Sequence, residues 1–304
     1  MGREATYLLV NPSGLLALDA DARVLGRIVD LPAQSAPQGP GLHPDRSALS
    51  FSLTQQPSKT KGFGSDLFLV NLDGTGLRQV LEHDGDNVFY DSPRFDPTGN
   101  LLYFHRRAAV ITGGQYKGND DTIERLDLRT GERIIVIQDA ADLDLSPDGR
   151  TLVYVHIVNS QGDGLWRADI DGTNARPFLQ SKDTFYYLQT PRFSPKGDRI
   201  AFCAAGHNAA TTLAPYAARP PGVVPKGAHL GIPSEIFVAP VDGTALRSVG
   251  QTGDDIVPAW SPDGMQIAYV GTGAFFVLSL TDGTIKTSAT GQDFFFGDLL
   301  WLRQ

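Results

Sequence analysis

The side chains of this 304-residue chain with the greatest capacity for chemistry are its histidines and a set of aspartates interleaved with aromatic residues. His105 in LLYFHRR and His156 in LVYVHIV end two apolar runs of the same pattern. His207 and His229 flank most of the insertion AGHNAATTLAPYAARPPGVVPKGAHLG. Imidazoles that converge can ligate a transition metal or move protons, because one ring nitrogen binds while a carboxylate orients the other. His105, His156, His207 and His229 are therefore the candidate ligands for a divalent metal. No short metal-binding spacing joins them, and no cofactor is favoured.

The aspartates and aromatics fall into five segments. Asp84, Asp86, Tyr90 and Asp91 lie in EHDGDNVFYDSP, Asp142 in QDAADLD, and Tyr186 with Tyr187 in SKDTFYYLQTP. Asp254 and Asp255 lie in QTGDDIVP, and Asp293 with Phe295 in TGQDFFFGD. Aromatic faces in a polar concavity supply apolar contact while carboxylates orient a cation, an amine or a sugar hydroxyl. The competing reading is structural, since aspartates cap turns and aromatics wedge sheets apart. Tyr216 and Arg219, in the proline-containing insertion, add two recognition side chains if that segment covers the same face.

Several chemistries are excluded or unsupported. The lone cysteine, Cys203, permits no internal disulfide and no multi-cysteine metal site. TGGQYKGNDD lacks the Gly-Lys-Ser/Thr ending of a phosphate loop and the spacing of a calcium loop, and no Gly-x-Ser-x-Gly elbow is present. A formal charge of −8 argues against a phosphate-backbone binder, so nucleic acid is not an expected partner. No run reaches the roughly 18 apolar residues of a spanning helix.

The elements that must position these groups are repetitive. SPRFDPTGNLLYFHR (92–106), DLDLSPDGRTLVYVH (142–156), TPRFSPKGDRIAFCA (190–204) and VPAWSPDGMQIAYVG (257–271) are copies of one unit, with GPGLHPDRSALSFSL (39–53) a degraded fifth. Each reads as strand, Pro-Asp-Gly-like turn and strand: proline presets one turn dihedral and glycine accepts the positive φ. Each is followed by two more strands around an Asp-Gly-Thr or equivalent turn, as in LFLVNLDGTGLRQVL (67–81). DLLWLRQ at the C-terminus supplies one further strand and the N-terminus three, which together make a sixth unit and close a ring. The expected fold is all-β: a six-bladed β-propeller with four-stranded blades, in one domain spanning 1–304. Approximate blades are 38–84, 88–138, 139–181, 187–250, 254–290, and 293–304 with 4–31.

At WSPDG (260–264), LSPDG (145–149), FSPKG (193–197), FDPTG (95–99) and the weaker LHPDR (42–46), the chain resembles the TolB-like propeller family. The resemblance covers nearly the whole chain and implies a module that binds proteins or ligands. Blade material begins almost at Met1, so this sequence has no counterpart of the small α/β domain of the Tol translocation protein. The chain is also similar to oligogalacturonate lyases, a resemblance that implies a related propeller with a histidine-based manganese site.

In this fold the segments joining one blade to the next emerge on one rim, near the central channel. The sequence therefore predicts a non-catalytic binding module recognising a protein or small ligand through an acidic, aromatic channel mouth. A metal-dependent polysaccharide lyase or hydrolase using mouth histidines is the alternative. A monomer is expected, cytoplasmic if the chain is complete and periplasmic or extracellular if an export signal has been removed.

Overall fold

The computed structural model describes residues 4–57, 59–60, 62–179, 185, 187–205, 234–253 and 255–303. Three N-terminal strands, β1 (Tyr7–Asn11), β2 (Gly14–Leu18) and β3 (Val24–Arg27), precede four longer meanders and a final one. β4 (Ala36–Leu42), β5 (Ala48–Thr54), β6 (Gly64–Asn71) and β7 (Arg78–Leu81) form the first meander. β8 (Val88–Phe95), β9 (Leu101–Thr112), β10 (Gln115–Asp127) and β11 (Arg133–Gln138) form the second. β12 (Ala140–Leu145), β13 (Thr151–Val158), β14 (Gln161–Asp169) and β15 (Arg176–Pro177) follow. Then come β16 (Tyr187–Phe193), β17 (Arg199–Ala205), β18 (Ser234–Pro240) and β19 (Arg247–Thr252). The last meander is β20 (Ala259–Trp260), β21 (Gln266–Gly271), β22 (Ala274–Ser279) and β23 (Ile285–Thr290), before a terminal strand β24 (Asp298–Trp301).

The pairings resolve into four-stranded antiparallel units arranged as a β-propeller. The first two meanders are also joined edge to edge by a short parallel contact of Gly64 with Val88 and Ser65 with Phe89. β24 pairs with β1, bringing Trp301 opposite Tyr7 and Leu299 opposite Leu9, so the two ends of the chain share one sheet. Among the described residues the only helical turn is a 3₁₀ turn at Gln292–Phe294. None of their helices is long and apolar enough to cross a membrane.

Strand alternation explains where the core sits. Side chains of one sheet face pack on the opposing face of the next unit. Thus Leu8, Val10 and Leu15 of the N-terminal strands meet Leu49, Phe51 and Leu53 of β5, and Val153 and Leu165 meet Ile200 and Phe202. The core lies between the sheets, and the innermost strands β4, β8, β12, β16, β20 and β24 are left to line the channel.

Three of the Asp-Gly-Thr turns tie their unit to the one before it. The Asp73 carboxylate accepts hydrogen bonds from the Thr75 amide and hydroxyl, and the same clasp recurs at Asp171/Thr173, Asp242/Thr244 and Asp282/Thr284. At Gly74, Gly172 and Gly243 the turn glycine then meets a carbonyl of the preceding unit, that of Ile28, Val136 and Phe178 respectively. A Cβ at Gly243, where φ is +71°, would lie 1.9 Å from the Phe178 carbonyl oxygen. Gly243→Ala combines a left-handed backbone with a backbone clash, and is expected to destabilise the chain by about 2–4 kcal/mol in urea unfolding. An unchanged midpoint would show that this turn does not lock the neighbouring sheet.

Candidate functional site

Four of the innermost strands share one irregularity. Gly39, Ser92, Asp142 and Thr190 occupy equivalent repeat positions and all adopt positive φ, at 62°, 50°, 52° and 53°. At each, strand pairing skips: between Gln38 and Gly41, Asp91 and Arg94, Ala141 and Asp144, and Gln189 and Arg192. These are β-bulges, which bend the strand and re-aim a side chain. A left-handed conformation costs about 1–2 kcal/mol for a residue with a Cβ, and a β-branched threonine is the hardest case. Contacts across the units hold it: the Thr190 hydroxyl donates to the Ile256 carbonyl at 3.1 Å and the Thr190 amide to Asp142 Oδ2 at 3.2 Å.

The bulges surround a cavity of about 310 Å³ at the channel mouth. Four carboxylates line it, Asp91, Asp142, Asp255 and Asp298, with one guanidinium, Arg192, the polar side chains of Gln38, Gln189 and Asn11, and the apolar surfaces of Val10, Pro12, Val257 and Phe296. They come from different units, and hydrogen bonds fix their directions. Asp298 Oδ2 accepts from the Gly39 amide at 2.5 Å, and Asp91 Oδ1 accepts from the Ser92 amide at 2.5 Å. Tyr187 donates its hydroxyl to Gln189 Oε1, and the Gln189 amide donates to Asp255 Oδ2 at 3.1 Å. Burial, reinforced by the neighbouring Asp91 charge, raises the Asp298 carboxyl above the ordinary carboxylate range.

With this channel in view, the likeness to known structures is one of architecture. A TolB structure from Acinetobacter baumannii superposes with a TM-score of 0.64 at 15% identity, over 98% of this chain and 66% of that one. The chain has a TolB-like β-propeller fold. A chain of the Nidogen/Laminin complex matches with a TM-score of 0.66 at 11% identity over 97% of both chains. Oligogalacturonate lyase from Vibrio parahaemolyticus matches with a TM-score of 0.50 at 11% identity, covering 93% of this chain and 84% of that one. No protein-family model and no curated protein matches the chain. This TolB-like chain spans just under two thirds of the TolB chain it matches, and at such identities only the fold is shared.

Among the side chains singled out by sequence, Asp91, Asp142 and Asp255 line the mouth cavity. Tyr187 stands behind Asp255 through Gln189. Asp293 clips the N-terminal strands, taking the Ser13 hydroxyl on Oδ1 and the Asn11 side-chain amide on its carbonyl, both at 2.9 Å. Phe295 is exposed and lies against Gly273, while its neighbour Phe296 supplies the aromatic surface of the cavity. Asp86 holds its own loop, accepting from the Phe63 amide at 2.8 Å. Tyr186, Tyr216, Arg219, Asp254, His207 and His229 lie outside the described residues.

Tyr90 is a correction. Its side chain is wholly buried between the first and second units, its hydroxyl accepts from Arg133 at 2.8 Å, and burial pushes the phenol up to about 12. Strand alternation is the reason: Asp91 faces the channel, so Tyr90 must face the core. Asp84 belongs to the same network, 3.2 Å from Arg133 and 3.6 Å from Arg106.

The two described candidate metal ligands are each engaged by a carboxylate of their own. His105, buried, bonds Asp121 at 2.7 Å through Nε2. His156 bonds Asp163 at 2.7 Å through Nδ1 and stacks on Trp166 at 4.2 Å. Neither lines the mouth cavity, and among the described residues no group of three or more His, Cys, Asp or Glu side chains is placed to hold a metal ion.

Sequence reasoning passed over Asp298, Gln189, Gln38, Phe296 and Arg192. The signal for Asp298 and Arg192 was present in the repeat alignment, which sets Arg94, Asp144 and Arg192 at one position and Ser92, Asp142, Thr190 and Asp298 at another. Equivalent positions in a closed ring of repeats point at the same axis, whatever residue type occupies them.

Proposed function

We propose that the chain is a non-catalytic binding module, a single six-bladed propeller whose channel mouth receives a cationic group. The ligand is a lysine or arginine side chain of a protein partner, or a small amine. One observation carries this reading: Asp91, Asp142, Asp255 and Asp298 converge from four units on one cavity that also offers apolar surface. Carboxylates held by neighbouring hydrogen bonds are preorganised for a cation, and the cavity size suits one side chain rather than a flat interface. The TolB-like fold agrees with a binding role, and the separate engagement of His105 and His156 leaves the lyase reading with less to stand on.

The test is calorimetric titration with cadaverine and with a lysine-rich peptide. Removing a carboxylate that meets the ammonium costs about 1.5–3 kcal/mol. Asp142→Asn and Asp255→Asn are therefore each expected to weaken binding by at least tenfold, and raised salt to weaken it further. Binding that ignores both substitutions and salt would remove the mouth as the site.

A further inference from the structure

A second cavity, of about 260 Å³, lies in the same channel on the side of the Pro-Asp-Gly turns. Its chemistry is the reverse of the mouth's. Arg94 and Arg192 project into it from equivalent positions, and Asp144 occupies the equivalent position between them in the chain. Phe193, Trp260 and Trp301 supply aromatic walls.

The two guanidinium groups are not equally compensated. Arg94 Nε stands 3.3 Å from Asp144 Oδ1, and Arg94 Nη1 donates to the Pro40 and Pro93 carbonyls at 2.9 Å. Asp144 Oδ2 meanwhile accepts the Phe193 amide at 2.7 Å. Half-buried Arg192, among the described residues, has no ion-pair partner; Nη1 donates to the Pro191 carbonyl at 2.8 Å. Both arginines line the one cavity, and burial together with the Arg192 charge brings the Arg94 guanidinium down to about 10. Arg192 feels the charge of Asp298 without forming a direct salt bridge to it, so its planar fork is left to match a carboxylate with two parallel hydrogen bonds.

We propose that this lower cavity is a second ligand site, which takes the carboxylate of a small aromatic or aliphatic organic acid on Arg192. The aromatic walls require an apolar body, and the one guanidinium of the pair without a direct salt bridge matches a monoanion. A phosphate dianion would bring a second negative charge beside Asp144. The site is distinct from the mouth, although Arg192 lines both cavities.

The experiment titrates the chain with 3-phenylpropionate and follows tryptophan fluorescence. Trp260 and Trp301 line the cavity, while the third tryptophan, Trp166, stacks on His156 in β14. Saturable binding of the acid is expected, with the uncharged 3-phenylpropanamide at least tenfold weaker, which needs no variant and so is independent of folding. Arg192→Met is expected to weaken the acid at least tenfold and leave the amide unaffected, while Asp255→Asn leaves acid binding unchanged. Equal binding of acid and amide, no saturation by about 10 mM, or full acid binding by a folded Arg192→Met chain would each overturn the proposal.

Discussion

Asp144→Ala is expected to destabilise the chain by about 3–5 kcal/mol, more than any other single side-chain truncation in the channel. The carboxylate is only 15% exposed and its partner Arg94 11%, so the substitution leaves a guanidinium in a dry place. It also removes the acceptor of the Phe193 amide, which links the third meander to the fourth, and exposes Arg94 to the unscreened charge of Arg192. Urea unfolding followed by circular dichroism measures the loss. Pairing the change with Arg94→Met should recover most of it, because removing both members of a buried ion pair leaves no stranded charge. If the single variant matches the parent, the pair is merely tolerated and the lower cavity is wetter than its geometry indicates.

A chain ending at Gly297 is expected to lose its cooperative unfolding transition. β24 contributes Leu299 at 3% exposure, and Leu302 just beyond it at 5%, to cores shared with β1, β2 and β21. Half-buried Trp301 packs 4.9 Å from Tyr7. Burying each such side chain is worth about 1.5–3 kcal/mol, and together they approach the total of about 5–15 kcal/mol that a folded protein has to spare. The truncation also uncovers the β1 edge, where Leu8 and Leu9 are otherwise fully buried. Loss of Asp298 takes one carboxylate from the mouth as well, so cadaverine binding should fall with stability. A truncated chain that unfolds at the parental urea midpoint would mean that the propeller is held by its other units alone.

The candidate sites were less legible than the scaffold, and particular residues show why. Tyr90 and Asp91 are adjacent and both chemically attractive, yet one is sealed in a sheet interface and the other faces the cavity. Asp84 carries the same side chain as Asp255, but two arginines of its own unit hold it. Asp298 and Arg192 sit in repeat segments that read as scaffold rather than as a site. Their importance comes from neighbours more than 90 residues away in the chain, such as Gly39 for Asp298.

What the sequence determined by itself is the repeating unit: prolines and glycines at fixed turn positions admit few backbone conformations, and alternating apolar residues admit only strands. Complementary end strands likewise determined that β24 would join β1, since three strands at one terminus and one at the other complete a sheet. Tertiary structure alone decided which aspartates converge and which channel arginine forms a direct salt bridge. Channel facing depends on bulges at Gly39, Ser92, Asp142 and Thr190 that shift the alternation within each inner strand, and their strained backbone is held by contacts from neighbouring units. Charge balance in the channel sums over side chains from separate repeats, a quantity that no single repeat contains.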